Sequence, residues 1–421
     1  MQLRLKTMGS ALIALAAITT ASMAAPAPRV EDGVMFEPAS NHPMVGRPER
    51  HARTFIQIKT PRMGPKNHVN PRYVGVPPAS GYYIETPASI QCIYGFTANT
   101  AGCDPNQVTT VAAGGSKVIA IVDAFDYSGA TGDLTAFSAQ FGLPMPSATN
   151  FSRVNLGSVA GNGDGTGWDQ EAALDIQYAH AMAPKAKIIL VEAVSDSDGD
   201  LYNAVTYAAN LVAKAGGGQV SMSWGETEFS GEQADDNILV APNVVFYAAA
   251  GDASGTSYPC TSPNAVCVGG TAHSRNALTF AMETQWPWVG EGGGISAYEL
   301  APSYQSKLTG SGNFRMAPDV AAIADPNNAV WVFNSTYYGI PMWFNVGGTS
   351  VATPVTAGLD NAAGNFQKSS FQYLTYLYGD AVGVARTDVV AGYCGNAYGF
   401  VGAKGWDICT GWGVPKKHIL P

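Results

Sequence analysis

From about residue 117 the chain alternates two hydrophobic rhythms. Unbroken apolar runs occupy Lys117–Asp123 (KVIAIVD), Ala186–Ala193 (AKIILVEA), Gln219–Trp224 and Val244–Ala250. Runs of this kind, without polar alternation, predict strands buried on both faces. Between them, Asp133–Phe141 puts Leu134, Phe137 and Phe141 on one helical face, and Trp168–Met182 reads as a helix. Leu201–Lys214 carries a stripe of Leu201, Ala204, Val205, Ala208 and Val212 and stops at Gly216-Gly217-Gly218. A last Ala-rich run, to about Gly364, predicts a helix after Gly347-Gly348-Thr349-Ser350. Strands alternating with helices predict an α/β fold: a mostly parallel twisted sheet with helices on both faces. Ligands then belong at the carboxyl ends of the strands.

The rhythm fails before residue 81. Arg4 and Lys6 precede an apolar run from about Ala11 to Met23, and Ser22-Met23-Ala24 offers small residues for cleavage. Residues 1–24 therefore read as a secretory signal, too short in its apolar part to span a bilayer. No later stretch is a membrane span. Residues 25–80, with Pro26, Pro28, Pro61, Pro65, Pro71, Pro77 and Pro78, lack periodicity and read as a weakly structured leader or short pro-segment. Residues 81–421 form the predicted domain. The protein is expected to be secreted or extracellular, periplasmic in transit.

Composition sharpens this picture in two ways. Hydrophobic residues make up 46% and charged residues only 13%, which argues against disorder from charge. A formal net charge of −9, without basic stretches interleaved with aromatics, makes nucleic acid an improbable partner. The 6 cysteines fall into three close couples, favouring Cys92–Cys103, Cys260–Cys267 and Cys394–Cys409 among fifteen pairings. Export suits disulfides.

The chemistry gathers around Ser350. A serine in the first turn of a helix has free N–H groups beside it and the positive end of the macrodipole, which suits an oxygen nucleophile and its oxyanion. Taken alone, the motif favours a helix N-cap, and only a base and an acid elsewhere in the chain reverse that. Glu171 and Asp175, spaced i, i+4, share one side of a helix and sit among Ala172, Ala173, Leu174 and Ile176. One carboxylate of such a pair can act as a base while the other orients it. Asp252 follows an apolar strand within Gly251-Asp252-Ala253-Ser254-Gly255; protonated, it could donate to an oxyanion. Of the histidines His42, His51, His68, His180, His273 and His418, none lies in a glycine-flanked catalytic setting, so a carboxylate base in mildly acidic medium is expected.

Glu171-x-x-x-Asp175, Ser221-Met222-Ser223-Trp224-Gly225, Gly251-Asp252-Ala253 and Gly348-Thr349-Ser350-x-x-x-Pro354 occur in the order seen in the sedolisins, the serine-carboxyl peptidases. Val268-Gly269-Gly270-Thr271, Gly292-Gly293-Gly294-Ile295-Ser296 and Arg315-x-x-Pro318-Asp319-Val320 agree as well. The chain resembles that family from about residue 82 to its end. The resemblance implies a subtilisin-like fold and an acid-acting endopeptidase. Ser350 would be the nucleophile, Glu171 the general base and acid, Asp175 its partner, and Asp252 the oxyanion acid beside the Ser350 N–H. Trp224 would lie near these carboxylates, and Asp123, ending the first strand, would be either an outer acid of their network or a spectator acid. It also implies one structural Ca2+ held by Asp388, the Val389 carbonyl and the run Ala403-x-Gly405-x-Asp407. Asp196-Ser197-Asp198-Gly199-Asp200 lacks the rest of a calcium loop, and Asp200 reads as an N-cap. Expected partners are protein or peptide substrates, met by a monomer, with neither nucleic acid nor membrane. The alternative is a catalytically inactive secreted binding protein on the same scaffold, since the leader is shorter than the folded pro-domain of the family.

Overall fold

The computed structural model describes residues 35–42, 49–59, 77–79, 83–310, 312–379, 386–395 and 400–417. The expected signal peptide, 1–24, and much of the leader lie outside the described residues. Among those described, no helix is long and apolar enough to cross a membrane.

The main sheet runs in the order Met282–Pro287, Val266–Arg275, Val244–Ala249, Gly218–Met222, Val118–Ala124, Lys187–Ala193, Phe151–Asn155, with Val320–Ile323 also paired to Val266–Arg275. Every pairing is parallel except that of Met282–Pro287, as the unbroken apolar runs predicted. Side chains alternate across Val118–Ala124. Ile119 and Ile121 join one core with Leu174, Val351 and Val355, whereas Val118, Ala120 and Val122 join a second with Leu201, Val205 and Val212. Helices Trp168–Met182 and Thr349–Ala363 thus cover one face, and Asp198–Lys214 covers the other. The chain winds first to one side of Val118–Ala124 and then to the other, so a crevice opens at the carboxyl ends of Val118–Ala124 and Gly218–Met222.

Three expectations change. Gln219–Trp224 is two strands, Gly218–Met222 and Trp224–Thr227, because Ser223 leaves the ladder and turns into the crevice. The N-cap of the Asp198–Lys214 helix is Ser197, whose side chain accepts the Asp200 N–H; Asp200 lies inside the helix. The leader is not weakly structured throughout. Arg53–Thr54 pairs antiparallel with Trp224–Thr227, and Gln57–Lys59 pairs antiparallel with Met342–Gly347, burying Ile56 and Ile58. The period-2 signal is hard to see in strands of two or three residues.

The three close cysteine couples are the three disulfides. The Arg315-x-x-Pro318-Asp319 segment is structural: both charges are buried, with Arg315 Nη2 2.7 Å from Asp319 Oδ2, which also accepts the Cys267 N–H at 2.8 Å. Removing one partner of a buried pair strands the other charge, so Arg315→Met should lower stability by about 3–5 kcal/mol in urea unfolding.

Candidate active site

Gly348 makes the turn into the Thr349–Ala363 helix at φ 110°, a conformation that side chains rarely adopt. A Cβ there would stand 2.6 Å from Asp252 Oδ2. Gly348, not Ser350, is the N-cap, so the N-cap role weighed for the serine does not apply. Ser350 sits within the first turn, and Pro354 four residues on cannot donate to its carbonyl. The Ser223 hydroxyl reaches that carbonyl at 3.4 Å.

The Trp168–Met182 helix brings the acids to the serine. It packs on the serine helix so tightly that a Cβ on Gly358 would stand 2.6 Å from Met182 Cβ. Ser350 Oγ lies 3.0 Å from Glu171 Oε2 and 3.0 Å from the Ser223 carbonyl, so its single proton has two acceptors. Asp175, one turn along, accepts the Ser223 hydroxyl at 2.9 Å. Glu171 Oε1 and Asp175 Oδ2 are buried without partners. Burial, then Asp175 and Asp123, push Glu171 well above the usual carboxylate range. Asp175 is raised by burial and by Asp123, against the Ser223 bond. Asp123 is raised by burial and by Glu192, its Cα partner on the neighbouring strand. Glu192 contacts Arg153 Nη2 at 2.6 Å. Trp224 donates its indole N–H to the Val122 carbonyl at 2.7 Å, beside Asp123.

Asp252 lies on the other side of the serine turn. Its Oδ1 accepts the Thr349 N–H at 2.8 Å and the Thr349 hydroxyl at 2.9 Å, and its Oδ2 is buried without a partner. Burial outweighs those bonds and pushes it up to about 8, leaving a neutral carboxyl at acid pH. Among the described residues no histidine enters the cluster: His180 bonds the Pro144 carbonyl, His273 bonds Glu85, and His51 bonds Asp196.

Sequence reasoning missed Ser223 and Thr349 as orienting groups and Glu192 as the end of the acid chain. The first two lay inside segments already singled out. Glu192 was hidden within an apolar strand, where only the register to Asp123 reveals it. Phe55 was missed as well: its N–H donates to Ser350 Oγ, and its carbonyl accepts the Ser350 N–H, each at 3.2 Å.

A second group of expected ligands also comes together. Asp388 Oδ2 accepts the Gly405 N–H at 2.9 Å, while Asp388 Oδ1 is buried without a partner, as a carboxylate oxygen left for a cation would be. Asp407 accepts N–H groups of Ala403, Cys409 and Thr410 at 3.1, 2.9 and 2.8 Å. Ala403, which stands in place of a glycine, is not among the residues at positive φ, so its methyl brings no backbone strain. Asp388, Val389, Ala403, Gly405 and Asp407 thus supply carboxylate and carbonyl oxygens from two neighbouring segments, a donor set that fits calcium.

Residues 156–367, half of the chain, match the model of the subtilase family, and the chain belongs to that family. Its similarity within it is to the sedolisins. It is 27% identical over 323 residues to Sedolisin of Pseudomonas sp. (strain 101), the match covering 67% of this chain and 53% of that protein. It is 29% identical over 318 residues to Kumamolisin of Bacillus sp. (strain MN-32), covering 67% and 55%. The chain thus spans about half the length of these curated relatives. Among solved structures, a Pseudomonas sedolisin, described as a serine-carboxyl proteinase complexed with two molecules of pseudo-iodotyrostatin, superposes with a TM-score of 0.62 at 23% identity. That match covers 79% of this chain and 95% of the other and bears out the subtilisin-like fold.

The acids set the sign of the pH dependence of stability. A carboxyl raised in the fold binds a proton that the unfolded chain has released. Its stabilisation is therefore full below the unfolded value, near 3.9 for Asp, and is lost as pH rises through the folded value. For Asp252 that window runs from about 4 to about 8. Glu85 opposes it at the acid end: burial notwithstanding, Arg275 and His273 hold it down at about 2, and its contribution is lost as pH falls through that value. The thermal midpoint should fall between about pH 4 and pH 8, and Asp252→Asn should flatten the fall in a calorimetric pH series.

Proposed function

We propose that this protein is an exported, acid-acting serine-carboxyl endopeptidase that cuts peptide bonds through an acyl-enzyme on Ser350. The observation that carries the reading is the 3.0 Å contact between Ser350 Oγ and Glu171 Oε2, with a buried second acid behind the first.

Ser350 Oγ attacks the peptide carbonyl as its proton passes to Glu171. Asp175, oriented by Ser223, holds the proton balance of the pair, so that one carboxyl is ionised while the other is not. The oxyanion takes hydrogen bonds from the Ser350 N–H and from neutral Asp252, whose Oδ2 has no other partner. Glu171 then returns the proton to the leaving amine and afterwards draws one from the water that opens the ester. The substrate is a protein or peptide, in keeping with the sedolisin relatives.

Ser350→Ala should abolish hydrolysis of denatured casein at acid pH with the fold intact; full activity in that variant overturns the assignment. Asp252→Ala should cost about 10²–10³ in kcat, as for loss of one oxyanion donor. Asp252→Asn keeps a donor that does not titrate, so in a pH–rate profile it should preserve acid activity and remove the alkaline fall near pH 8 expected of the parent.

A calcium ion at Asp388, the carbonyls of Val389, Ala403 and Gly405, and Asp407 is part of the same reading. When bound, it would fasten the C-terminal loops to one another. A ligand that binds only the folded chain stabilises it by about 2.7 kcal/mol at a hundred times its Kd. Chelation should therefore lower the thermal midpoint, calcium should restore it, and Asp388→Asn should abolish both responses.

A further inference from the structure

We infer that Glu291 is a positioning residue of the oxyanion site: its carboxyl latches the glycine-rich turn that clamps the Asp252 loop. The inference rests on Asp252 being the oxyanion acid, as proposed above.

Two glycine-rich segments meet at this side chain. Strand Val266–Arg275 pairs antiparallel with Met282–Pro287 as far as Thr271 and Pro287. One residue further, the Trp288 N–H donates to the Gly270 carbonyl at 2.9 Å. The return bond goes to a side chain: the Gly270 N–H donates to Glu291 Oε2. Room for the carboxyl exists because its neighbours are glycines. A Cβ on Gly269 would stand 2.5 Å from Glu291 Oε2, and one on Gly270 would stand 3.5 Å from Glu291 Cβ. The carboxyl is buried, and Oε1 has no partner. One of its oxygens lies within 4.8 Å of the sulfurs of Cys394 and Cys409, but these are bonded to each other and offer no thiolate to a metal. Burial pushes Glu291 well above the usual carboxylate range, against the Gly270 bond. The latch therefore needs an acceptor and not a charge. Enclosing a half-satisfied carboxyl costs stability, a cost that holding the loop explains.

The chain after Glu291 passes directly to the oxyanion loop. The Gly292 N–H donates to the Gly251 carbonyl at 2.7 Å, and the Gly293 N–H donates to the Gly255 carbonyl at 2.8 Å. These two bonds grip both ends of Gly251–Gly255, the loop that bears Asp252. Its end glycines stand at φ 103° and 112°, and glycine swings more freely than any other residue. A Cβ on Gly292 would strike the Ala250 carbonyl, so the two backbones lie in contact there. On its other side the loop is tied to the serine turn. The Thr349 hydroxyl accepts the Gly251 N–H at 3.1 Å, and the Thr349 N–H donates to Asp252 Oδ1 at 2.8 Å.

The clamp has one side-chain anchor. From Val289 to Gly294, four of six residues are glycine and Val289 is 44% exposed, so Glu291 is the side chain that fixes this stretch to the sheet. Without the latch, the Gly292 and Gly293 donors lose their register on the loop. Asp252 then drifts from the Ser350 N–H, with which it must share one oxyanion. Hydrogen bonds weaken steeply with misalignment, and a donor aimed at a developing charge acts only if it is already in place.

A double-mutant cycle with Asp252→Ala tests this, read on a quenched peptide substrate at about pH 4. Glu291→Leu should lower kcat at least about tenfold and leave KM within about threefold. Glu291→Gln keeps the acceptor and should stay within about threefold of wild type. In the Asp252→Ala background, Glu291→Leu should cost less than about twofold more, because the group it positions is gone. Where Glu291→Leu does not fold, Glu291→Asp, too short to reach the Gly270 N–H, takes its place in the cycle with the same expectations. Undiminished kcat, losses that multiply in the double variant, a rise in KM alone, or a Glu291→Gln variant as impaired as Glu291→Leu overturns this inference alone. Wild type that cuts no peptide, or full kcat in Asp252→Ala, overturns the reading of the site and this inference with it.

Discussion

Close contact between two helices is the constraint on which the site depends. Ser350 and Glu171 lie on separate helices, and neither helix alone can place a base beside a hydroxyl. The missing side chain of Gly358 lets the helices approach at Met182, and Ala172 and Ala173 beside Glu171 are small core residues. A side chain at Gly358 would push the helices apart, and a bond of 3.0 Å has no slack to absorb the shift. The active geometry is therefore set by packing some distance along the helix, not by the residues that react.

Buried acids follow from the same packing. Asp123, Asp175 and Glu171 are enclosed in sequence toward the serine, and no cation is among the groups that set their ionisation. The least costly state in such a setting holds protons rather than charge. Arg153 meets only the outer end of the chain, at Glu192. Basicity at Glu171 thus comes from desolvation and from like neighbours. A histidine-based site draws its base from an imidazole, and none of the described histidines stands here.

Much of this was legible in the residues. The parallel sheet announced itself through runs such as KVIAIVD, because strands covered on both faces must be apolar at every position. Helix Trp168–Met182 was read to the residue, and Glu171 and Asp175 shared a side by simple spacing. The sequence order of the glycine-rich segments carried the resemblance that joined Asp252 to Ser350. What stayed hidden was whatever depended on tertiary register. Asp123 and Glu192 are partners only because two strands lie side by side. The break at Ser223 looks like continuous strand until its hydroxyl is seen on Asp175. Arg53–Lys59 reads as coil, since pieces of two and three residues take their strand character from the partners that receive them.

The place of Gln57–Lys59 between Met35–Phe36 and Met342–Gly347 bears on how the chain can be shortened. A version beginning at residue 83 would strip Ile56 and Ile58 from the core. It would also leave the backbone of Met342–Gly347 bare on that side, immediately ahead of the serine turn. An uncapped strand of this kind invites association with another chain. Trimming the protein to its apparent domain would thus trade a covered edge for a sticky one at the threshold of its own cleft.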